Sequence, residues 1–193
     1  MTNRVPAIPL SDEEMTPEQF SATKKLRVNG VLANGFRVGL NAWNLFKAHT
    51  PFSLFVMAGS SVPPRIRELA IIRVAHNNNC EYEFQHHAQV GLSHLGMSPQ
   101  DIENIRMGAS APGLSTLDAR VIELVDQLSN NCNISNELYD YLTNEFSQDQ
   151  FVELMYTIGN YESMTRVINV LDIPMDSDFE VMHGLVERDT SAV

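Results

Sequence analysis

The segment from Pro63 to Gly96 carries the pattern that most restricts how this chain can fold. Its residues predict two helices joined by a short polar break at residues 77–79. In the second helix, Cys80, Glu83 and His87 follow one another at steps of three and four, so a helix places them on one side. An ordinary amphipathic helix has aliphatic side chains there. The pattern therefore predicts a helical hairpin with ionisable groups on a face that is normally apolar.

The first helix of this hairpin has a similar feature. It carries an apolar stripe, which consists of Ile66, Leu69, Ile72 and Ala75. Glu68 lies at the border of the stripe, where a carboxylate must find a partner or change its pKa. The hairpin would bring Glu68 towards Glu83 and His87. We therefore expect two carboxylates and an imidazole to form a cluster there.

Glu83 and His87 are one helical turn apart, so their side chains can touch, which would orient the imidazole and raise its basicity. The alternative is an exposed ion pair with little effect. Together with Glu68 and Cys80, the pair would have shifted pKa values and act as an acid or a base. A metal site made by Glu83, His87 and His94 is the weaker alternative, because the two histidines are two turns apart and no further ligand stands out. We therefore expect no metal.

Cys80 permits two interpretations of its own. It stands near the start of the second helix, where unpaired N–H groups favour a thiolate that could act as a nucleophile. Glu81 and Glu83 oppose this, because negative charges raise the pKa of a thiol. A buried, inert thiol is the other interpretation.

Two arginines, Arg65 and Arg67, stand beside the helix start that Pro63 and Pro64 define. A helix N-terminus with guanidinium groups can hold a carboxylate, so both arginines are candidates for substrate binding. The alternative is that they are solvated or pair with acidic side chains.

The rest of the chain is also predicted to be helical. Capping patterns mark helix starts at Thr16, Ser98, Ser115, Ser135 and Ser147. The expected helices outside the hairpin cover residues 17–30, 34–48, 52–57, 98–108, 115–128, 135–142 and 150–171. No segment alternates between apolar and polar residues for long enough to predict a strand. The fold class is therefore all-α, a helical bundle built around the hairpin.

The length of 193 residues and the hydrophobic content of 44% favour one domain over residues 1–193, with an N-terminal arm (1–15) and a C-terminal tail (175–193). We expect the arm on the surface, with a neighbouring subunit as one docking place, and the tail to be mobile or in a subunit contact. The sequences Arg67–Leu69 and Val152–Leu154 are alike, which leaves an internal duplication of the hairpin open.

Composition excludes several classes of partner. The net charge of -11 leaves no broad basic surface, so we expect neither nucleic acid nor an anionic membrane as a partner. Cys80 and Cys132 are the only cysteines, which fits a reducing compartment. No apolar run reaches the roughly 18 residues of a membrane span, and residues 1–10 lack a signal-peptide core. We therefore expect a cytoplasmic protein.

Several motifs of the hairpin resemble the carboxymuconolactone decarboxylase and alkyl hydroperoxidase D-like family. They are Arg67–Leu69, the triplet Tyr82–Phe84 (Tyr-Glu-Phe), His87 and a helix that ends at Gly96. The resemblance covers roughly residues 35–174. It implies an all-α bundle around a helical hairpin, a homo-oligomer such as a trimer or hexamer, and sites near subunit interfaces.

The peroxidase branch of the family implies a thiol mechanism. In that branch two cysteines three positions apart precede a histidine, and an upstream glutamate relays protons. Cys80 matches the first cysteine, His87 the histidine and Glu68 the glutamate, but Glu83 stands where the second cysteine is expected. Because that second thiol attacks the peroxide, this chain cannot run the same dithiol cycle.

The decarboxylase-like branch has the triplet at residues 82–84 and the histidine. The resemblance therefore implies a cofactor-free lyase that acts on a small carboxylated or lactone-like compound. His87 would be its acid or base, with Glu83 and Glu68 as partners. The alternatives are a thiol peroxidase that uses Cys80 and a catalytically silent oligomeric module.

Overall fold

The computed structural model describes residues 7–185, and this part of the chain is all-α, as predicted. Its only extended pairing is an isolated bridge between Val28 and Val31. The helices are α1 (Pro17–Thr23), α2 (Asn34–Gly39), α3 (Trp43–Leu54), α4 (Pro64–Asn77), α5 (Glu81–His94), α6 (Pro99–Met107), α7 (Thr116–Asn131), α8 (Asn136–Glu145), α9 (Gln148–Leu171) and α10 (Phe179–Met182). Within residues 7–185, no helix combines the length and the apolar character that a bilayer-spanning segment needs.

The described residues divide into two compact units. The first contains the residues up to Pro51 and those from Val170 onwards, and the second is Phe52–Asn169. The hairpin of α4 and α5 lies entirely in the second unit. The predictions of one domain and of an internal duplication remain predictions.

The described parts of the predicted arm and tail contact other residues of the first unit. Arg37 donates from Nη1 to the Leu10 carbonyl (2.7 Å) and pairs with Asp12 (2.8 Å). In the tail, Asp176 accepts a hydrogen bond from the Asn34 backbone N–H (2.6 Å). The hydrophobic core of this unit contains Met15, Leu26, Leu32, Leu40 and Phe46. Residues 1–6 of the arm and 186–193 of the tail lie outside the described residues.

Two predicted helix ends are wrong. The first helix ends at Thr23 and a 3₁₀ turn follows to Leu26, because Asn29 and Gly30 adopt positive φ angles (48° and 79°) that close a turn and cannot continue a helix. The second error is at Pro51, which was expected to follow the end of a helix but lies inside α3.

Helix α3 continues past Pro51 to Leu54, and a π-helical turn (Phe55–Gly59) follows. Ser53 and Val56, on the far side of the proline, are buried. Burial of these side chains keeps the chain helical although the proline removes one backbone hydrogen bond. Tertiary packing has overridden the local signal here.

The hairpin begins with the most buried helix of the second unit. Helix α4 packs against α5, α6 and α7, and its stretch from Ile66 to Ile72 is buried on all sides. A helix surrounded in this way carries any polar residue of that stretch into the core. This position places Glu68 in the core.

The polar break between α4 and α5 is fixed by hydrogen bonds. The Cys80 N–H donates to the Ala75 carbonyl (2.9 Å), and Asn79 has a φ of 50°. Asn78 donates to Thr165 of α9 (2.9 Å) and accepts from Asn169 (2.8 Å) at its carbonyl. The break is therefore a defined turn attached to α9, and it sets where α5 begins.

Candidate active site

The structure brings Glu68, Glu83 and His87 together inside the second unit. His87 Nδ1 lies 2.5 Å from Glu68 Oε2, and His87 Nε2 lies 3.1 Å from Glu83 Oε2. The three residues are 4%, 6% and 8% exposed, respectively. The alternative of a solvent-exposed ion pair at Glu83 and His87 is therefore wrong, because both carboxylates and the ring are buried.

Each member of this cluster is positioned by a different feature of the fold. Glu68 comes from the buried stretch of α4. Glu83 lies in the first turn of α5, where the helix dipole favours a negative charge. His87 lies one turn later, so the step of four residues places its ring against Glu83. The imidazole is thus held from two sides by carboxylates of two helices.

The cluster keeps the His87 ring protonated. Burial disfavours the charged ring, but the charge of Glu68 and hydrogen bonds to Glu68 and Glu83 outweigh it and raise the pKa of His87 to about 10. Burial alone would raise the pKa of Glu68. The charge and hydrogen bond of His87, together with the charge of Arg67, outweigh burial and lower this pKa below its ordinary value. At neutral pH both imidazole nitrogens therefore donate to carboxylates.

These pKa shifts predict an alkaline loss of stability. The ordinary pKa of histidine is 6.5 and that of folded His87 is about 10, so the folded state binds this proton more tightly than the unfolded state. The stabilisation is complete below pH 6.5 and falls by a few kcal/mol as the pH rises to about 10. Glu68 has the opposite pH dependence, because its pKa is lowered by folding. Its stabilisation is present above pH 4.5 and is lost as the pH falls below that value. Urea unfolding of wild type and His87→Gln at several pH values measures this. A parallel alkaline loss in both proteins would contradict it.

Arg67, and not Arg65, lies at the cluster. Its Nε is 3.5 Å from Glu68 Oε1, and the residue is only 8% exposed. That Nε is buried and has no hydrogen-bond partner among residues 7–185. Arg65 instead contacts Asp118 of α7 (2.7 Å) and Asp101 of α6 (3.6 Å). Of the two predicted anion-binding arginines, only Arg67 has unused donor capacity at the site.

Cys80 is the residue immediately before α5 and is buried, with 1% exposure. Burial raises the pKa of its thiol to about 11, and the charges of Glu83 and Glu81 act in the same direction. The backbone N–H groups of Glu83 and Tyr82 oppose this rise without cancelling it. The thiol is thus protonated at neutral pH, as expected of the buried, inert cysteine.

Sequence analysis did not identify Tyr161 as part of the site. This residue of α9 is 3% exposed, and its ring is perpendicular to that of His87, with centroids 4.9 Å apart. Burial raises the pKa of its phenol well above the ordinary value, and the charges of Glu83 and Glu68 add to the rise. Only a step of three from Ile158 marks Tyr161 as a buried position of α9, and no spacing relates it to His87.

The positions of Glu83, His87 and His94 do not support the metal alternative. Among residues 7–185, no group of three or more histidine, cysteine, aspartate or glutamate side chains is arranged to hold a metal ion. His94, the third member of the metal alternative, is exposed in the last turn of α5. It therefore does not share the buried environment of Glu83 and His87.

A pocket of about 360 Å³ lies in the first unit and contains none of the predicted site residues. Leu10, Arg37 and Asp176 are among the residues that line it. Arg37 already donates to two backbone carbonyls and pairs with Asp12, so its charge is compensated within the protein. The perturbed groups of the second unit are a better indication of chemistry than this pocket.

Comparisons with known proteins agree with the architecture. Residues 44–126 match the model of the carboxymuconolactone decarboxylase family, while no curated protein sequence matches the chain. An uncharacterized peroxidase-related protein from Silicibacter sp. TM1040 has 18% identity and a TM-score of 0.73, over 93% of this chain and 97% of the other. An uncharacterized peroxidase-related protein from Ralstonia eutropha JMP134, with an alkylhydroperoxidase AhpD core, has 11% identity and a TM-score of 0.74, over 94% and 98%. At such identities the likeness establishes an AhpD-like fold.

Proposed function

We propose, from the match of residues 44–126 to the model of the carboxymuconolactone decarboxylase family, that the chain is a cofactor-free carboxy-lyase. Its substrate is a small carboxylated or lactone-like compound, and His87 is the acid. The observation that carries the proposal is the buried imidazole held by a carboxylate at each nitrogen. Such an arrangement stores a proton at a defined atom, away from bulk water.

The proposed reaction exchanges carbon dioxide for a proton. The bond between the substrate carbon and its carboxylate breaks, CO₂ leaves, and the electron pair moves into the electron-accepting lactone system. His87 then delivers its Nε2 proton to the carbon and is reprotonated from solvent. The Glu83 contact, at 3.1 Å, is longer than the Glu68 contact, at 2.5 Å. We therefore assign Nε2 to the substrate and Nδ1 to permanent support by Glu68.

Displacement of Glu83 also tunes the acid. Glu83 contributes to the raised pKa of His87 through its hydrogen bond and its charge. When substrate takes the place of Glu83 at Nε2, the hydrogen bond to Glu83 is lost and the pKa of His87 falls. An acid with a pKa near the working pH transfers its proton most effectively. The resting cluster thus holds the proton, and substrate binding makes the proton transferable.

Arg67 is proposed to bind a carboxylate of the substrate, and this assignment predicts a selective effect on binding. Arg67→Gln should raise the KM about 10- to 100-fold, the value of one charge-assisted hydrogen bond. Arg65→Gln is the matched control, because it removes an arginine two residues away that is already paired with Asp118 and Asp101. Its KM should stay within about twofold of wild type. Equal effects of the two variants on KM would contradict the assignment to Arg67.

The function is tested by a screen of carboxylated lactones. CO₂ release is measured with a coupled assay, and the product is identified by NMR in D₂O, where one deuteron should appear at the carbon that lost its carboxylate. Peroxides with an external thiol form the second arm. Turnover of a lactone supports the lyase, whereas peroxide consumption without CO₂ release would contradict it. A catalytically silent module would give neither.

Thiol peroxidase activity is the second candidate, because two similar solved structures are those of uncharacterized peroxidase-related proteins. The environment of Cys80 disfavours it, since the raised pKa leaves little thiolate at neutral pH. In a Cys132→Ser background, where Cys80 is the only thiol, alkylation by iodoacetamide should be slow at pH 7. Its rate should rise about tenfold per pH unit up to pH 10. Rapid alkylation at pH 7 would favour the peroxidase.

A further inference from the structure

The orientation of the His87 ring depends on more than its two carboxylates. Hydrogen bonds at Nδ1 and Nε2 hold the ring at its edge, whereas the tilt of the ring plane also depends on what packs against it. The only described ring that packs on His87 is that of Tyr161, which is perpendicular to it at a centroid distance of 4.9 Å. Perpendicular aromatic pairs at this distance are attractive and directional.

We propose that Tyr161 is a positioning residue for His87, whose ring fixes the plane of the imidazole so that both nitrogens keep their carboxylates. This inference rests on the proposed function for its catalytic consequence, but its structural content does not. Tyr161 is 3% exposed, and it follows Leu154 and Ile158 on the buried face of α9. A side chain packed in a core has few accessible rotamers, so the Tyr161 ring is held in one orientation.

Hydrogen bonds also hold helix α9, which carries Tyr161, in place. Asn78, in the break between α4 and α5, binds Thr165, which is four residues after Tyr161 on α9. At the other end of α9, Glu153 accepts hydrogen bonds from the Ser60 hydroxyl (2.9 Å) and the Ser61 N–H (2.6 Å). The tyrosine is therefore held between two anchored points and not on a free helix.

The groups that face His87 come from three helices. Helix α4 contributes Glu68, whose other carboxylate oxygen lies 3.5 Å from Arg67, α5 contributes Glu83, and α9 contributes Tyr161. The phenol stays neutral because burial and the nearby carboxylates raise its pKa. Among these groups Tyr161 contributes a ring and no charge, so its replacement by another apolar side chain leaves the charges around His87 unchanged.

The test measures the pKa of His87 by NMR titration in the full-length protein. Tyr161→Leu removes the ring and should lower the measured pKa by about one, since worse alignment weakens both hydrogen bonds. Tyr161→Phe keeps the ring and should leave the pKa of His87 within about 0.3 of wild type. Tyr139→Leu is the matched control, because it removes a similar perpendicular pair, with Phe151, elsewhere in the unit. Tyr161→Met replaces the leucine variant if that variant does not fold, because methionine fills irregular space.

An unchanged pKa of His87 in the leucine and methionine variants would overturn the proposal. A fall in the phenylalanine variant as large as in the leucine variant would overturn it too, because the hydroxyl and not the ring would then matter. With an active substrate, the pH profile of kcat should shift with the pKa of His87 while KM stays constant. If no substrate is turned over, the proposed function fails, but the titration still decides the role of Tyr161.

Discussion

Replacing His87 with glutamine should lower kcat on a turned-over lactone by about 100- to 10,000-fold, the usual contribution of a general acid or base. Glutamine keeps a hydrogen-bond donor near Glu68 and Glu83 but has no transferable proton at neutral pH. The effect should fall on kcat and not on KM, because the proton is needed in the transition state. Steady-state kinetics together with deuteron incorporation at the product carbon measure it.

Two cysteine variants separate this result from thiol chemistry. Cys132→Ser changes an exposed thiol at the end of α7 and should leave kcat unchanged. Cys80→Ser changes the buried thiol beside the cluster and should retain most of the activity, because the proposed lyase reaction uses no thiol. Loss of activity with Cys80→Ser and retention with His87→Gln would reverse the assignment and favour the peroxidase.

Replacing Glu68 with glutamine should have the largest effect on stability. The change removes the carboxylate that lies against both the imidazolium and the guanidinium of Arg67. Removal of one partner from a buried ion pair costs about 3 kcal/mol or more, because it leaves a buried charge without its partner. The pKa of His87 should fall strongly, so the alkaline loss of stability described above should become much smaller. Urea unfolding from pH 6 to pH 10 measures both effects.

Glu123→Gln provides the control for this variant. It removes a carboxylate from a partly exposed ion pair with Arg120, in which the side chains are about one-third exposed. Such pairs contribute about 0.5 kcal/mol, so unfolding at every pH should stay close to wild type. If Glu68→Gln were as stable as Glu123→Gln, the buried cluster would contribute nothing to the folded state, and the pKa argument for His87 would fail with it.

Local periodicity was sufficient to predict the part of the site that depends on a single hairpin. The step of four between Glu83 and His87, and the position of Glu68 at the border of an apolar stripe, follow from helical geometry. The contact between Glu68 and His87 could be expected because a short break forces the two helices to pack side by side. The family resemblance that the sequence motifs suggested agrees with the match of residues 44–126 to the family model.

Features that depend on distant packing could not be predicted. Arg65 and Arg67 are two residues apart on the same helix, and only the placement of Asp101 and Asp118 on other helices decides which arginine is occupied. Tyr161 contacts His87 from α9, and no sequence pattern in α9 predicts this contact with the hairpin. Pro51 was misleading for a similar reason, since burial beyond it outweighed a strong local stop signal.

The ring of His87 is in contact with side chains from the neighbouring helices α4 and α5 and from α9, which lies far from them along the sequence. No partially folded fragment that lacks one of these helices can assemble its complete surroundings. The hydrogen-bonded protons of the imidazole are therefore a spectroscopic reporter of cooperative folding. On denaturation they should begin to exchange with water in one step, together with the unfolding of the whole second unit.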